Sequence, residues 1–210
     1  VSYDFDTAGQ LTAEFNSYVA SGTISQSATG GINNTGAINA PGIANAVFAS
    51  KDKYSLGDEG SVYTFTSFVK SVFNSGYSGM GFTSLTPSSD NTGGSPFATT
   101  DALGVSVHGG GFVFHNGSTR TFGSWNSDNA DIDTIKKATI SDLLNSGSAD
   151  DWYQIVVVVT RTAGDTFKLR VEVWPSDDEG TLLRPAEADA IFEMTDLENS
   201  TILNAPSISS

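Results

Sequence analysis

The residues best suited to chemistry in this sequence gather at His115-Asn116-Gly117-Ser118-Thr119-Arg120, followed by Trp125 and Asn126. An aromatic face takes the C–H side of a pyranose ring, while amides, imidazoles and guanidinium groups bond its hydroxyls. The segment therefore holds the parts of a sugar-binding loop. The same letters also spell an ordinary hairpin, Asn116-Gly117 being a strong turn dipeptide and Trp125 a residue at home in a core. Carboxylates offer a second chemistry. Asp128, Asp131 and Asp133 stand close enough in sequence to hold a hard cation such as Ca²⁺ with help from backbone carbonyls, and Asp90-Asn91, Asp4 and Asp6 are further candidates. No twelve-residue helix-hand loop or Gly-Gly-x-Gly-x-Asp repeat accompanies them. A solvated acidic turn is the plainer reading of this cluster and of Asp177-Asp178-Glu179.

Several reactive constellations are missing. No Gly-x-Ser-x-Gly elbow presents a serine nucleophile, and the Gly109-Gly110-Gly111 run lacks the Lys and Ser/Thr that complete a phosphate loop. His108 and His115 are seven residues apart, which puts them on opposite faces of an uninterrupted strand unless the glycine run resets the alternation. With no cysteine, neither disulfides nor thiolate metal sites can form. These absences favour binding over catalysis.

Charge narrows the partners. Asp and Glu number 24 against 10 Lys and Arg, a formal net charge of -14. A phosphate backbone would be repelled, the one adjacent basic pair being Lys136-Lys137, so no nucleic-acid partner is expected. No apolar run reaches the length of a spanning helix, so no membrane insertion is expected. The lack of Cys, the wealth of Ser, Thr, Gly and Asn and the few Lys suggest an exported bacterial or archaeal protein, secreted or on the cell surface. Val1-Ser2 has no signal-peptide character, so a signal is expected to have been removed already.

The elements that must position these groups are strands. With 210 residues and 13 Phe, 6 Tyr and 3 Trp, the chain has the volume for one all-β sandwich domain over 1–210. Period-two alternation marks Val62 to Val69, Gly104 to Phe114, Tyr153 to Thr160 and Phe167 to Trp174. In the first, Tyr63, Phe65, Ser67 and Val69 should face the core. The unbroken run Ile155 to Val159 reads as a central strand covered on both sides. Arg161 to Thr166 joins it to the next strand as a hairpin turn. In that next strand Phe167, Leu169, Val171 and Val173 point inward, and Lys168, Arg170, Glu172 and Trp174 face solvent or a shallow groove. Trp174 thereby joins the candidate ligand-binding residues. Asp131 to Asn145 has a helix-like acidic start and Gly147 beyond its end, but β-branched Thr134, Ile135, Thr139 and Ile140 oppose a helix. Ser25 to Asn39 and Thr86 to Thr100 have the composition of long surface loops.

Three stretches carry a resemblance: YDFDTAGQLTAEFN at the start, the glycine-rich TGGINNTGAINAP, and above all DDWYQIVVVVTRTAGDTFKLRVEVWPSDDEGTLL. Together they resemble a concanavalin A-like lectin/glucanase domain of the laminin-G-like kind. The resemblance implies a two-sheet antiparallel jelly roll whose first strand lies in the opening stretch. It also implies a final strand pairing near the first: either Thr201 to Ser210 supplies it or the sheet edge is left open. Glucanases of this kind carry a Glu-x-Asp-x-x-Glu triplet, absent here. Lyases of similar fold use Tyr and His with Arg and Gln, for which His108, His115, Gln154 and Arg170 are the available residues, without the Gln-x-His or Arg-x-Glu-x-Arg motifs. What remains is an extracellular, non-catalytic binding or adhesion domain with a glycan partner. The rivals are a surface-layer or filament subunit that self-associates through strand edges, and a lyase or glycoside hydrolase with an unrecognised site.

Overall fold

The computed structural model describes residues 4–22, 24–39, 45–54, 56–70, 78–84, 102–108, 110–125, 127–136 and 152–203. Among these the chain forms strands β1 (Phe15–Ser21), β2 (Ser25–Ser27), β3 (Ala37–Asn39), β4 (Asn45–Ser50), β5 (Val62–Lys70), β6 (Ser78–Thr83) and β7 (Ala102–His108). They continue as β8 (Gly111–Asn116), β9 (Thr119–Ser124), β10 (Asp133–Lys136), β11 (Trp152–Ala163), β12 (Thr166–Ser176) and β13 (Ala190–Glu198). Two short helices, α1 (Gln10–Glu14) and α2 (Ser200–Leu203), complete the described elements. The protein is all-β, and its strand pairings are antiparallel.

A five-stranded sheet runs in the order β10-β13-β12-β11-β5 and a four-stranded sheet in the order β6-β7-β8-β9. The pairs β1-β4 and β2-β3 form two further two-stranded sheets. Alternation explains how the large sheets meet, since every second residue of a strand lies on one face. Ile155, Val157 and Val159 of β11, the four apolar residues of β12 from Phe167 to Val173, and Phe192 of β13 pack against Leu103, Val105 and Val107 of β7 and Phe112 and Phe114 of β8. Tyr63, Phe65 and Val69 of β5 join the same core, as their alternation predicts.

The β11-β12 hairpin forms where the sequence puts it, but its strands run further. Ala163 pairs with Thr166, leaving Gly164-Asp165 as a two-residue turn with Gly164 at φ 55°. β11 lies between β12 and β5, yet Val156 and Val158 are only half-buried. The unbroken apolar run marks a central strand whose second face is partly open.

Four expectations are corrected. The opening stretch is not a strand from its start: residues 10–14 form α1, and β1 begins at Phe15. The long loop expected at Ser25 to Asn39 contains the β2-β3 pair, while Thr86 to Thr100 lies outside the described residues. Asp133–Lys136, inside the helix candidate, is strand β10 on the edge of the five-stranded sheet. Its β-branched Thr134 and Ile135 favour that outcome, and residues 137–145 lie outside the described set. Finally, the start of the closing-strand candidate lies in helix α2 (Ser200–Leu203); residues 204–210 lie outside the described set, and the last described strand is β13, which pairs with β12 and β10. A bulge masks β13 in the sequence: Phe167 faces Leu197 and Leu169 faces Met194, so Thr195 and Asp196 crowd one ladder step, with Asp196 at φ 55°.

Asn199 fastens this end of the chain. Its Oδ1 accepts from the Ile202 N–H at 3.0 Å, capping α2, while its Nδ2 donates to the Ala102 carbonyl at 3.2 Å and to Asn116 Oδ1 at 3.0 Å. With the side chain buried, Asn199→Ala removes the cap and leaves a sheltered carbonyl without that donor. A loss of about 1–3 kcal/mol is expected in urea unfolding. A change under about 0.5 kcal/mol would show that α2 frays in solution.

Candidate functional site

The loop candidates do not assemble. The β8-β9 turn is Gly117-Ser118, with Gly117 at φ 60° and Asn116 paired to Thr119. Register then divides the neighbours: His115, opposite Arg120, lies on the outer face of the four-stranded sheet, and Asn116 lies at the end of its inner face. Asn116 is already engaged, its Nδ2 donating to the Glu198 carbonyl at 3.1 Å. Around it a shallow depression of about 210 Å³ is lined by Asn116, Gly117, Ser118 and residues 198–201. Arg120 is exposed. Trp125 is a core residue, 1% exposed, its Nε1 donating to the His108 carbonyl at 2.9 Å and its rings packed on Phe112 and Phe192. Asn126 lies outside the described residues.

The glycine run does reset the alternation. His108 pairs with Gly111 across the β7-β8 turn, so His108 and His115 share the outer face of the four-stranded sheet. Sequence reasoning missed the neighbour of His115. Ser106 Oγ lies 2.9 Å from His115 Nε2, both side chains buried, and burial, reinforced by the Arg120 charge, lowers the His115 pKa to about 4. Burial lowers the His108 pKa as well. Gln154 and Arg170 lie on the outer face of the other sheet. The four residues of the lyase reading thus lie on the outward-turned faces of two different sheets, with His115 itself buried, and the fold does not bring them together.

Asp128, Asp131 and Asp133 do not converge: among the described residues no three His, Asp or Glu side chains are placed to share a metal ion. Asp128 Oδ1 lies 3.5 Å from Thr134 Oγ1, the Asp131 N–H donates to Asn129 Oδ1 at 2.9 Å, and Asp133 opposes Glu193 in the β10-β13 ladder. Asp177 is a turn residue, its Oδ1 accepting the N–H groups of Glu179 and Thr181. Asp90-Asn91 lies outside the described residues. Asp4 and Asp6 are used locally, Asp4 Oδ1 accepting the Asp6 N–H at 3.2 Å and Asp6 Oδ1 the Gly36 N–H at 2.5 Å.

The most organised chemistry stands on the outer face of the five-stranded sheet. Along β12, Lys168, Arg170, Glu172 and Trp174 occupy alternate positions and therefore form one row. Trp174 Nε1 donates to Glu172 Oε2 at 2.9 Å, and Arg170 donates through Nε and a terminal nitrogen to Glu172 Oε1, both at 2.7 Å. From β13, Glu193 lies 3.3 Å from Lys168 and 3.8 Å from Arg170. The carboxylates are sheltered, Glu172 at 14% and Glu193 at 13% side-chain exposure, while Arg170 and Lys168 stand a third open. Beside Trp174 the ladder places Gln154 on β11 and Phe68 on β5.

One end of this face is walled. The glycine-rich segment carries Ile32 and Asn33 to the 177–180 turn, where the Asn33 N–H donates to the Asp178 carbonyl at 2.7 Å. Gly180, at φ 82°, leaves no room for a Cβ beside Ile32, and that space would border Phe68. Two sequence signals found parts of this site, the alternation of β12 and the Trp at its end. The wall and the contributions of Phe68 and Glu193 required the fold.

No family model, curated protein or solved structure matches this chain. Fold and site together define an antiparallel β-sheet protein that bears a mixed aromatic and ionic row on one sheet face.

Proposed function

We propose that this chain is an extracellular, non-catalytic binding domain of the concanavalin A-like jelly-roll kind, and that it holds a glycan against the outer face of its five-stranded sheet. The observation that supports the reading most is Trp174, locked by Glu172 and Arg170 in line with Gln154 and Phe68. A fixed indole gives a stacking surface, and the amide, carboxylate and guanidinium groups around it supply both acceptors and donors for hydroxyls. Binding suits this arrangement better than hydrolysis. Arg170 contacts both Glu172 and Glu193, whereas glycoside cleavage asks for two carboxyl groups facing each other across a scissile bond.

Removing the indole tests the site. Trp174→Ala should weaken binding to any glycan found on an array by at least about tenfold, with thermal stability nearly kept because the ring is only half-buried. Repeating the array with and without Ca²⁺ tests the cation that the acidic sequence clusters suggest. An unchanged affinity in the folded variant would move the site elsewhere.

One observation favours a second reading, assembly through sheet edges. Among the described residues β5 is a nine-residue strand at the edge of the five-stranded sheet, with Val62 59% exposed. Light scattering over a range of concentrations separates the two, because a strict monomer rules assembly out.

A further inference from the structure

We infer that the ligand of this face is an uncharged, hydroxyl-rich polysaccharide rather than a uronate or sulfated one, an inference that rests on the glycan-binding reading above. Charge complementarity carries it. An anionic sugar needs a cation free to receive its carboxylate or sulfate, usually an Arg fork. The row supplies two cations, and both have carboxylate partners within the sheet: Arg170 with Glu172 at 2.7 Å and Glu193 at 3.8 Å, Lys168 with Glu193 at 3.3 Å. Opposite Glu193 in the neighbouring strand is a third carboxylate, Asp133. Lys136, opposite Ile191 on the same face, is paired as well, its Nζ 2.8 Å from Glu187.

The rest of the protein pushes the same way. At a net charge of -14 the chain repels a polyanion before contact. A uronate seated on Arg170 would have to displace Glu172, which would then lose its guanidinium partner while remaining sheltered, and Glu172 is also the group that holds the Trp174 indole. Charge recognition and stacking therefore compete here. A neutral sugar meets no such conflict, since its hydroxyls can add to the unused hydrogen-bonding capacity of Arg170, Lys168 and Gln154 without breaking an ion pair. Length follows from the row itself: Lys168 to Trp174 spans six strand steps, roughly 20 Å at 3.3 Å each, which fits a chain of several sugar units better than a single ring.

The experiment is affinity electrophoresis and calorimetry of the whole chain against neutral laminarin, xylan and mannan and against anionic alginate and heparin, each at 20 and 300 mM salt, roughly. The expected result is binding to at least one neutral polymer that changes less than about threefold between the two salt levels and is lost in Trp174→Ala. Glu172→Gln, which removes the nearer of the two carboxylates beside Arg170, should raise affinity for alginate relative to the wild type; Phe68→Ala, leaving the ion pairs intact, should weaken the neutral polymer alone. Preferential binding of alginate or heparin, falling at least tenfold with salt, would overturn the charge-class inference and leave glycan binding standing. Binding to no polymer at all would overturn glycan binding itself.

Discussion

As the pH falls from 6.5 to about 4, the protein is expected to lose about 3 kcal/mol of stability through His115 alone. In the folded chain the imidazole is buried beside the Ser106 hydroxyl and across the ladder from Arg120, an environment that penalises the charged form and brings the pKa to about 4 from 6.5. In the unfolded chain the same ring titrates near 6.5. Between these values the unfolded state binds the extra proton and the folded state does not, so stability rises with pH through that window and falls on acidification. The contribution is complete above 6.5 and lost below about 4, two and a half units at about 1.4 kcal/mol each. Urea titrations at several pH values on the wild type and on His115→Gln check this. The variant keeps a polar side chain but cannot titrate, so its stability curve should lack that slope, while the carboxylates act on both proteins alike. Identical slopes would mean that the ring meets solvent.

The second large effect concerns the seam between the sheets. Phe112→Ala is expected to cost about 3–5 kcal/mol, read as a lower urea midpoint at unchanged slope. Phe112 has no exposed surface, and its ring centroid lies 4.5 Å from Phe192 on the opposite sheet, 4.9 Å from Trp125 and 5.4 Å from Phe114. Gly123, its ladder partner on β9, supplies no side chain to fill the space, and a Cβ there would overlap the Phe112 ring. Truncation therefore opens a cavity bordered by rigid rings. Because typical domains are stable by only about 5–15 kcal/mol, such a loss would be a large share of the whole. A cost below about 1 kcal/mol would show that the two sheets do not close on this residue.

The two effects share a cause that also shapes the candidate site. Strand β8 sends Phe112 and Phe114 to the core and His115 to the other side, so one alternating segment builds both the hydrophobic seam and the buried imidazole. On β12 the same rule puts Val171 and Val173 inside and Glu172 and Trp174 outside. A rigid inner row then holds the outer row in place. This is the reason to look for recognition on that sheet face rather than at the β8-β9 turn, where the side chains of Asn116 and Asn199 are engaged in tying the chain end to the sheet.

Alternation is a local property, and it made β5, β7, β11 and β12 legible: each needs only its own residues to decide which face is apolar. The same reasoning failed wherever a partner strand decided the outcome. β13 carries a bulge at Thr195-Asp196 that breaks its period, and β10 is extended because Asp133 and Thr134 find Glu193 and Phe192 across the ladder. The run from His115 to Trp125 reads as one loop in the sequence. A two-residue turn converts it into two strands, and Trp125 turns inward to pack on Phe112 and Phe192.

By itself, then, the sequence determined the all-β class, the inward rows of the long strands and the outward place of Trp174, because a period of two in polarity fixes the face of each residue without reference to anything distant. Tertiary structure alone decided which outward rows became neighbours. Sheet order brings Glu193 and Phe68 to the Trp174 row and puts His115 on the far side from Gln154 and Arg170. The physical reason is that strand order and register depend on pairing between segments up to 98 residues apart, as where Val62 of β5 lies opposite Thr160 of β11, and no local pattern encodes such a pairing.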